Sequence, residues 1–279
     1  MAVQQTQRPV AVISGGSSGI GLACARRLRQ RGYQLVLLAR DETKLRSAQR
    51  SLDDGSFPLA EIHSLDVADA DACAALVAAI HERHGRIDWL ITSAGIVEPG
   101  LFLDLDLAAH RAQMETNYFG TLHLLRAVAP IMRTAGGGRL TLIASAAAFT
   151  GIAGYSGYGP SKFAVRALAE TLFSELAPFG IAMSVAFPPD TDTPQLAYEN
   201  RSRPVATRLI AQGGGILSAD QVAESMIRQA EAGRFVLAPT KLIALFGLFH
   251  SLYAPFFLRR QRRILGRVEA GNPPTPEER

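Results

Sequence analysis

The sequence predicts a single α/β domain of Rossmann type: a doubly wound parallel sheet with helices on both faces, in a three-layer αβα arrangement. The first observation is an alternation of short apolar runs with segments of helical length between residues 10 and 239. The second is a glycine-rich turn that separates the first apolar run from the first helical segment. Since parallel strands are joined by long crossovers, usually helices, this alternation favours an all-parallel sheet.

The elements follow one another along the chain in a regular order. Strands are predicted at 10–14, 34–39, 61–67, 87–95, 138–145 and 181–187, with a last apolar run at 234–239. Helices are predicted from the glycine turn through Arg31, and at 41–52, 70–85, 107–134, 162–180 and 218–233. We expect a catalytic domain at 1–240, an apolar and basic segment at 241–266, and a disordered tail at 267–279.

The composition is that of a globular protein, with 48% hydrophobic residues, 19% charged residues and a net charge of +4. Basic residues cluster at 259–263 and Arg267; the rest are scattered as solvated charge, and no nucleic-acid partner is expected. Cys24 and Cys73 lie apart in alanine-rich helical stretches without a histidine cluster, which indicates buried free thiols and no metal site. No apolar signal segment precedes the first strand, so we expect a cytoplasmic protein.

The glycine turn lies where a nucleotide pyrophosphate would bind. Gly15, Gly19 and Gly21 allow a tight turn and a close approach of the backbone, and the helix that follows points its free N–H groups at the anion. The spacing G-x-x-x-G-x-G differs from the commonest dinucleotide fingerprint, and a purely structural turn is the alternative. The predicted contacts from this turn are Gly15, Ser17, Ser18, Gly19, Ile20 and Gly21.

Arg40 ends the second predicted strand, at the position where an acid would bind the ribose hydroxyl of NAD. An arginine there suits the 2′-phosphate of NADPH, with Lys44 adding charge one turn later, although a solvated surface arginine is the alternative. Asp66 and Val67 follow the third strand and are predicted to cover the adenine. Further cofactor contacts are predicted at Ala94, Gly95, Tyr158, Lys162, Pro188, Thr191 and Thr193.

Tyr158 and Lys162 are four residues apart, and therefore lie on one face of a helix. A free tyrosine has a pKa near 10, and a neighbouring ammonium together with a nicotinamide cation is expected to lower it. Ser145 is placed to orient a carbonyl oxygen, and Asn117 to hold a water on a proton path past Lys162. The alternatives are a strand-end hydroxyl for Ser145 and a polar residue at a helix kink for Asn117. Tyr155 is an alternative candidate for the role of Tyr158, but the residue four positions after it is Gly159 and not a lysine.

Taken together, the glycine turn, Asn117, Ser145, Tyr158 and Lys162 resemble the short-chain dehydrogenase/reductase family over residues 8–240. The resemblance implies hydride transfer between nicotinamide and a carbonyl or alcohol carbon, with Tyr158 as general acid and base. It also implies a homo-oligomer. One departure is that the family usually has asparagine where this chain has Thr92, which is shorter and can keep a hydrogen bond.

The segment FPPDTDTP at 187–194, with ENRSRPVATRLI at 199–210, resembles the family members that reduce the 3-keto group of a long-chain sphingoid base with NADPH. Two consecutive prolines make this loop leave the sheet rigidly. One hypothesis is that Asp190 or Asp192 pairs with the ammonium group of that substrate; the alternative is that both acids cap the following helix. Other possibilities are a reductase of another lipophilic carbonyl and a non-catalytic NADPH-binding, membrane-associated protein.

Residues 242–258 contain no formally charged side chain and are followed by the basic run. Seventeen residues stand at the lower limit for a membrane-spanning helix, and a pocket-lining or dimer-forming segment is the alternative. On a helix, Ala244, Gly247, Ser251 and Ala254 form a small-residue stripe that is predicted to pack on protein, with the bulky faces towards lipid. We therefore expect membrane lipid as a partner, at the cytoplasmic face of a membrane.

Overall fold

A computed structural model describes residues 8–55, 58–211 and 215–274. Its main sheet has seven parallel strands in the order β3-β2-β1-β4-β5-β6-β9. These strands are β1 (Val10–Ser14), β2 (Gln34–Ala39), β3 (Glu61–Ser64), β4 (Trp89–Thr92), β5 (Gly138–Ile143), β6 (Ile181–Ala186) and β9 (Val236–Leu237). A separate pair consists of β7 (Thr191–Asp192) and β8 (Leu217–Ser218). The predicted doubly wound fold is therefore confirmed.

Ten α-helices connect the strands within the described residues. They are α1 (Gly19–Gln30), α2 (Glu42–Leu52), α3 (Ala70–His84), α4 (Leu107–Met114), α5 (Gly120–Thr134), α6 (Tyr158–Leu176), α7 (Pro194–Ser202), α8 (Val205–Ala211), α9 (Ala219–Glu231) and α10 (Lys241–Glu269).

Both faces of the sheet are buried, and alternate residues of each strand enter different cores. Val10 and Val12 pack towards α3, α5 and α6, while Ala11 and Ile13 pack towards α1 and α9. This double burial explains why the strands are continuous apolar runs. The strand order reverses between β1 and β4, so a crevice opens at their carboxyl ends, where open α/β sheets bind ligands.

A π-helical turn, Glu115–Phe119, separates α4 from α5 inside the helix predicted at 107–134. Asn117 lies in this turn and is fully buried. The Thr121 hydroxyl donates to the Asn117 carbonyl at 2.8 Å, which satisfies a main-chain acceptor displaced by the wider turn. The prediction of a long helix is confirmed in its limits, but the turn that positions Asn117 was not predicted.

Several predicted boundaries were too long. The third, fourth and fifth strands end at Ser64, Thr92 and Ile143, because the following residues leave the sheet to line the crevice. Helix α6 begins at Tyr158, four residues before the predicted start. At the other end of the chain, α10 continues to Glu269, so residues 267–269 of the predicted tail are helical. Residues 275–279 of that tail lie outside the described residues.

Helix α10 packs along the domain by one face. Ile243 and Ile264 are buried at its two ends. Between them Gly247 lies against Phe149, and Gln261 exchanges hydrogen bonds with the backbone of Gly151 and Ala153 at 2.8 and 2.7 Å. The helix is thereby fixed to the loop that precedes α6.

The small-residue stripe predicted on this helix is only partly the packing face. Gly247 and Ala254 are half-buried, whereas Ala244 and Ser251 are exposed. Large side chains such as Phe246 and Phe257 also pack against the domain from this helix.

Substituting Gly247 by alanine should loosen the contact between α10 and the domain. A Cβ at Gly247 would lie 2.7 Å from the Phe149 ring, whereas at Gly266 in the same helix nothing lies within 4 Å. Overpacking costs about 1–3 kcal/mol, against a helix-propensity gain of about 1 kcal/mol. We expect Gly247→Ala to lower the thermal midpoint and speed tryptic cleavage at the basic run, relative to Gly266→Ala. Equal behaviour of the two variants would show that the packing is not tight.

Candidate active site

The crevice at the carboxyl ends of the strands is a cavity of about 690 Å³. It collects residues from the turn after β1, the ends of β2 and β4, the segment after β5, the start of α6 and the loop after β6. The predicted site residues that line it are Gly15, Ser17, Ser18, Gly19, Ile20, Arg40, Lys44, Asp66, Val67, Ala94, Gly95, Ser145, Tyr158, Lys162, Pro188, Thr191 and Thr193. Gly21 and Asn117 lie behind the wall, and their effect on the site is through packing.

The glycine turn can be built only with glycine at its tightest positions. Gly15 has φ of 66°, and a Cβ there would lie 2.7 Å from the Ala94 nitrogen. A Cβ on Gly21 would lie 2.3 Å from the Gly15 oxygen. Ser18, the residue before α1, makes no side-chain capping bond, so the first N–H groups of the helix stay available to an anion. The turn therefore fits a dinucleotide pyrophosphate.

Arg40 is exposed at the end of β2 and faces the cavity. Lys44 Nζ lies 3.7 Å from Asp41 Oδ2, whereas no carboxylate of the described residues forms an ion pair with Arg40. An unpaired guanidinium beside the position of an adenosine ribose fits a 2′-phosphate.

Asn117 holds the loop segment that follows β4. Its Oδ1 accepts from the Ile96 nitrogen at 2.8 Å, and its Nδ2 donates to the Ile96 oxygen at 3.0 Å and to Ser161 Oγ at 2.9 Å. These bonds connect the π turn, the loop after Gly95 and helix α6. Since Oδ1 and both Nδ2 hydrogens are used, Asn117 acts on the site mainly by positioning its walls.

Tyr158 and Lys162 face the cavity from the first turn of α6. Lys162 Nζ lies 5.7 Å from the centre of the Tyr158 ring and donates to the Ile143 carbonyl at 3.0 Å. Burial lowers the pKa of Lys162 to about 8, so the ammonium form still predominates at neutral pH.

The expected lowering of the Tyr158 pKa by Lys162 together with a nicotinamide cation stays a prediction, because in the protein alone burial has the larger effect on this pKa. Burial raises the pKa of Tyr158 above its usual value, opposed by a hydrogen bond with the Ser145 side chain. The charges of Glu199 and Asp190 raise that pKa further. The tyrosine is therefore a neutral phenol at physiological pH, which is the form that can give a proton to a substrate oxygen.

Tyr155, the alternative tyrosine, belongs to a separate hydrogen-bond network. The Tyr155 hydroxyl donates to Glu199 Oε1, which also accepts from Arg203 Nε at 2.8 Å. Arg203 Nη1 in turn donates to Asp190 Oδ2 at 2.8 Å. Burial and the adjacent Glu199 carboxylate raise the pKa of Tyr155, and its hydroxyl proton is already donated to Glu199, so it is not free to pass to a substrate. Sequence reasoning missed Glu199; its only local signal was the four-residue spacing to Arg203.

The alternative reading of the acids at 190 and 192 as helix caps is wrong. The cap of α7 is Thr193, whose Oγ1 accepts from the Leu196 nitrogen at 3.2 Å. Asp190 lines the cavity and is held by Arg203, whereas Asp192 is exposed and does not line it. Only Asp190 therefore remains as a candidate to contact a ligand.

Thr92 does not replace the hydrogen bond that the family's asparagine would make. Its hydroxyl is buried and has no hydrogen-bond partner among the residues that the structure describes. The shorter, branched side chain ends inside β4 and does not reach the cavity.

The comparisons with known proteins agree with this geometry. The sequence profile of the short chain dehydrogenase family matches residues 9–204. A 3-dehydrosphinganine reductase from Danio rerio is 37% identical over 228 residues, which cover 80% of this chain and 69% of that protein. A 3-ketodihydrosphingosine reductase from Dictyostelium discoideum is 36% identical over 273 residues, covering 88% of this chain and 82% of the relative.

Solved structures show the same fold. A short-chain dehydrogenase from Sphingobium yanoikuyae in complex with NADPH superposes with a TM-score of 0.75 and 28% identity, covering 88% of this chain and 94% of that one. A single-substitution variant of an actinorhodin polyketide ketoreductase with NADPH gives a TM-score of 0.76 and 30% identity, covering 85% of this chain and 97% of that one.

Replacing Tyr158 by phenylalanine should remove turnover, because its phenol is the neutral acid that faces the cavity beside Ser145. We expect kcat to fall by about 10²–10⁴-fold while the cofactor dissociation constant changes little. Tyr155→Phe is the matched control, a buried tyrosine 5.6 Å away between ring centres, and should lose far less. Steady-state kinetics and fluorescence titration measure both effects. A larger loss in Tyr155→Phe would reassign the acid.

Proposed function

Because the chain belongs to the short-chain dehydrogenase/reductase family, we propose that it is an NADPH-dependent reductase that converts 3-ketodihydrosphingosine to dihydrosphingosine. The observation that carries the reaction class is the buried pair of Tyr158 and Lys162, which line the cavity together with Ser145. The substrate is supported by relatives of that name which match four-fifths or more of the chain.

Different residues of the cavity bind different parts of the cofactor. The glycine turn holds the pyrophosphate of NADPH, and Arg40 its 2′-phosphate. When bound, this cofactor supplies the hydride. Asp66 and Val67 border the adenine side, and Pro188, Thr191 and Thr193 form the lip at the nicotinamide side.

The proton is delivered by the protein. Ser145 orients the carbonyl oxygen, and Tyr158 gives its phenolic proton to that oxygen as negative charge develops there. The resulting phenolate is stabilised by the Lys162 ammonium, which the Ile143 carbonyl holds in position. The raised pKa keeps Tyr158 protonated before each turnover but also makes the phenol a weaker acid, so the positive charge of Lys162 is needed to stabilise the phenolate that forms.

The test is an assay of the purified chain with 3-ketodihydrosphingosine and either NADPH or NADH. We expect product with NADPH, and kcat/KM at least tenfold lower with NADH. Arg40→Ala should raise the KM for NADPH about tenfold or more and leave that for NADH nearly unchanged, since a phosphate contact contributes about 1.5–3 kcal/mol. The control is Arg46→Ala, whose guanidinium pairs with Glu42 on α2 and does not line the cavity.

Other outcomes of that assay would identify a different function. Turnover of steroid or retinoid ketones without turnover of the sphingoid ketone would make the protein a reductase of another lipophilic carbonyl. Tight NADPH binding without turnover of any ketone would indicate a non-catalytic NADPH-binding protein.

We also propose that α10 lies in the interface of a membrane. It is long and apolar enough to cross a bilayer by length and composition. However, one face is packed on the domain from Ile243 to Ile264, which favours a helix lying on the surface. Its opposite face exposes the apolar side chains Leu242, Leu245, Leu248, Phe249, Leu252, Tyr253, Phe256 and Leu258. The arginines at 259–263 follow directly and suit anionic headgroups.

Replacing the exposed leucines of α10 should release the protein from membranes without unfolding it. Leu245, Leu248 and Leu252 are 54%, 74% and 69% exposed, so the triple substitution by glutamine leaves the core intact. We expect co-flotation with anionic phospholipid vesicles to fall at least tenfold, while NADPH binding persists. Leu59→Gln, at another exposed leucine, is the control. Unchanged flotation of the triple variant would contradict the proposal.

A further inference from the structure

The buried network around Glu199 carries an excess of negative charge. Two carboxylates, Asp190 and Glu199, share a single guanidinium, that of Arg203. Glu199 is 7% exposed and Arg203 6%, so solvent screens this imbalance only weakly. Burial raises the pKa of Glu199, which means that its ionised form is under-compensated by its neighbours.

The hydrogen bonds to Glu199 leave one of its oxygens available. Tyr155 Oη, Arg203 Nε and Arg203 Nη2 all donate to Oε1. Among the described residues none donates to Oε2, and this oxygen is not among the fully enclosed unsatisfied atoms. Glu199 and Asp190 both line the cavity, but each oxygen of Asp190 already accepts a hydrogen bond from Arg203. Glu199 Oε2 is therefore an acceptor in the cavity wall.

This acceptor lies close to the reacting centre. Tyr155, whose hydroxyl is bonded to Glu199, has its ring 5.6 Å from that of Tyr158, between centres. The Glu199 charge is near enough to raise the pKa of Tyr158. In 3-ketodihydrosphingosine, the ammonium-bearing carbon is bonded directly to the carbonyl carbon. A substrate whose oxygen meets Tyr158 therefore places its cation within the reach of this wall.

We infer that Glu199 is the residue that binds the ammonium group of the substrate through Oε2, with Arg203, Tyr155 and Asp190 holding the carboxylate in place. The inference rests on the proposed sphingoid-base substrate. The bound cation supplies the positive charge that the network lacks. It also offsets the acids that disfavour the Tyr158 phenolate, so charge recognition and proton transfer are coupled at the same site. A neutral ketone of the same length would gain neither effect.

The experiment compares two substrates in the full chain: 3-ketodihydrosphingosine and the matched ketone in which hydrogen replaces the amino group. The wild-type protein should prefer the amino ketone by at least tenfold in kcat/KM. Glu199→Gln keeps the shape and an oxygen for Tyr155 and Arg203 but removes the charge. We expect it to reduce the ratio of the two kcat/KM values at least tenfold. Asp192→Asn, an exposed acid outside the cavity, is the control and should leave the ratio unchanged.

Each other outcome has a defined meaning. Equal use of both ketones by the wild type would overturn the inference while leaving the proposed function standing, and needs no variant. Equal losses of Glu199→Gln on both ketones would show that the network is only structural. If the wild type reduces neither ketone, the proposed function fails and the inference fails with it. Should Glu199→Gln not fold, two other measurements test the inference. They are the wild-type preference for the amino ketone and the change that Asp190→Asn, which removes the other acid, makes in the ratio of the two kcat/KM values.

Discussion

Asn117 is the side chain on which the assembly of the site depends. It joins the π turn to the backbone of Ile96 and to Ser161 on α6, so three elements that meet only at the cavity are held at fixed distances. Ser161 in turn donates to the Tyr158 carbonyl at 2.7 Å. The position of Tyr158 is thereby linked to the loop after β4, which lines the cavity. Because the Asn117 side chain is fully buried, loss of any of its hydrogen bonds would leave a polar atom unsatisfied.

Much of this architecture was predictable, because the relevant signals are local. Strands β1 and β2 were predicted at their observed limits, since both are buried on two faces and are bounded by turns. Strand β4 was predicted to extend through Gly95, but residues 93–95, which are all small, leave the sheet to line the cavity. The π turn was not predicted, because its sequence keeps the pattern of a continuous helix.

The network of Tyr155, Asp190, Glu199 and Arg203 in the cavity wall could not be predicted in the same way. Its members come from the loop before α6, the loop after β6 and both ends of the segment 199–203, and they meet only in the folded protein. From the sequence alone, Asp190 and Asp192 could not be distinguished. Regular strand alternation would place residues two apart on the same side, but Asp190 precedes β7 and is held at the cavity by Arg203, whereas Asp192 lies within β7 and is exposed.

The two ends of the cavity fit an amphiphile entering from a membrane. Glu199 and Asp190 give the wall near Tyr158 a negative charge, whereas Ile152 and Ile243 give it an apolar border beside α10. Ile243 belongs to the helix whose opposite face is exposed and apolar, so the acyl chain of a lipid would pass along α10 with its charged head leading. The same helix fixes the backbone at Gly151 and Ala153 through Gln261, only a few residues from Tyr155 and Tyr158. If α10 contacts a bilayer as proposed, that contact would therefore act on the loop that leads into Tyr158.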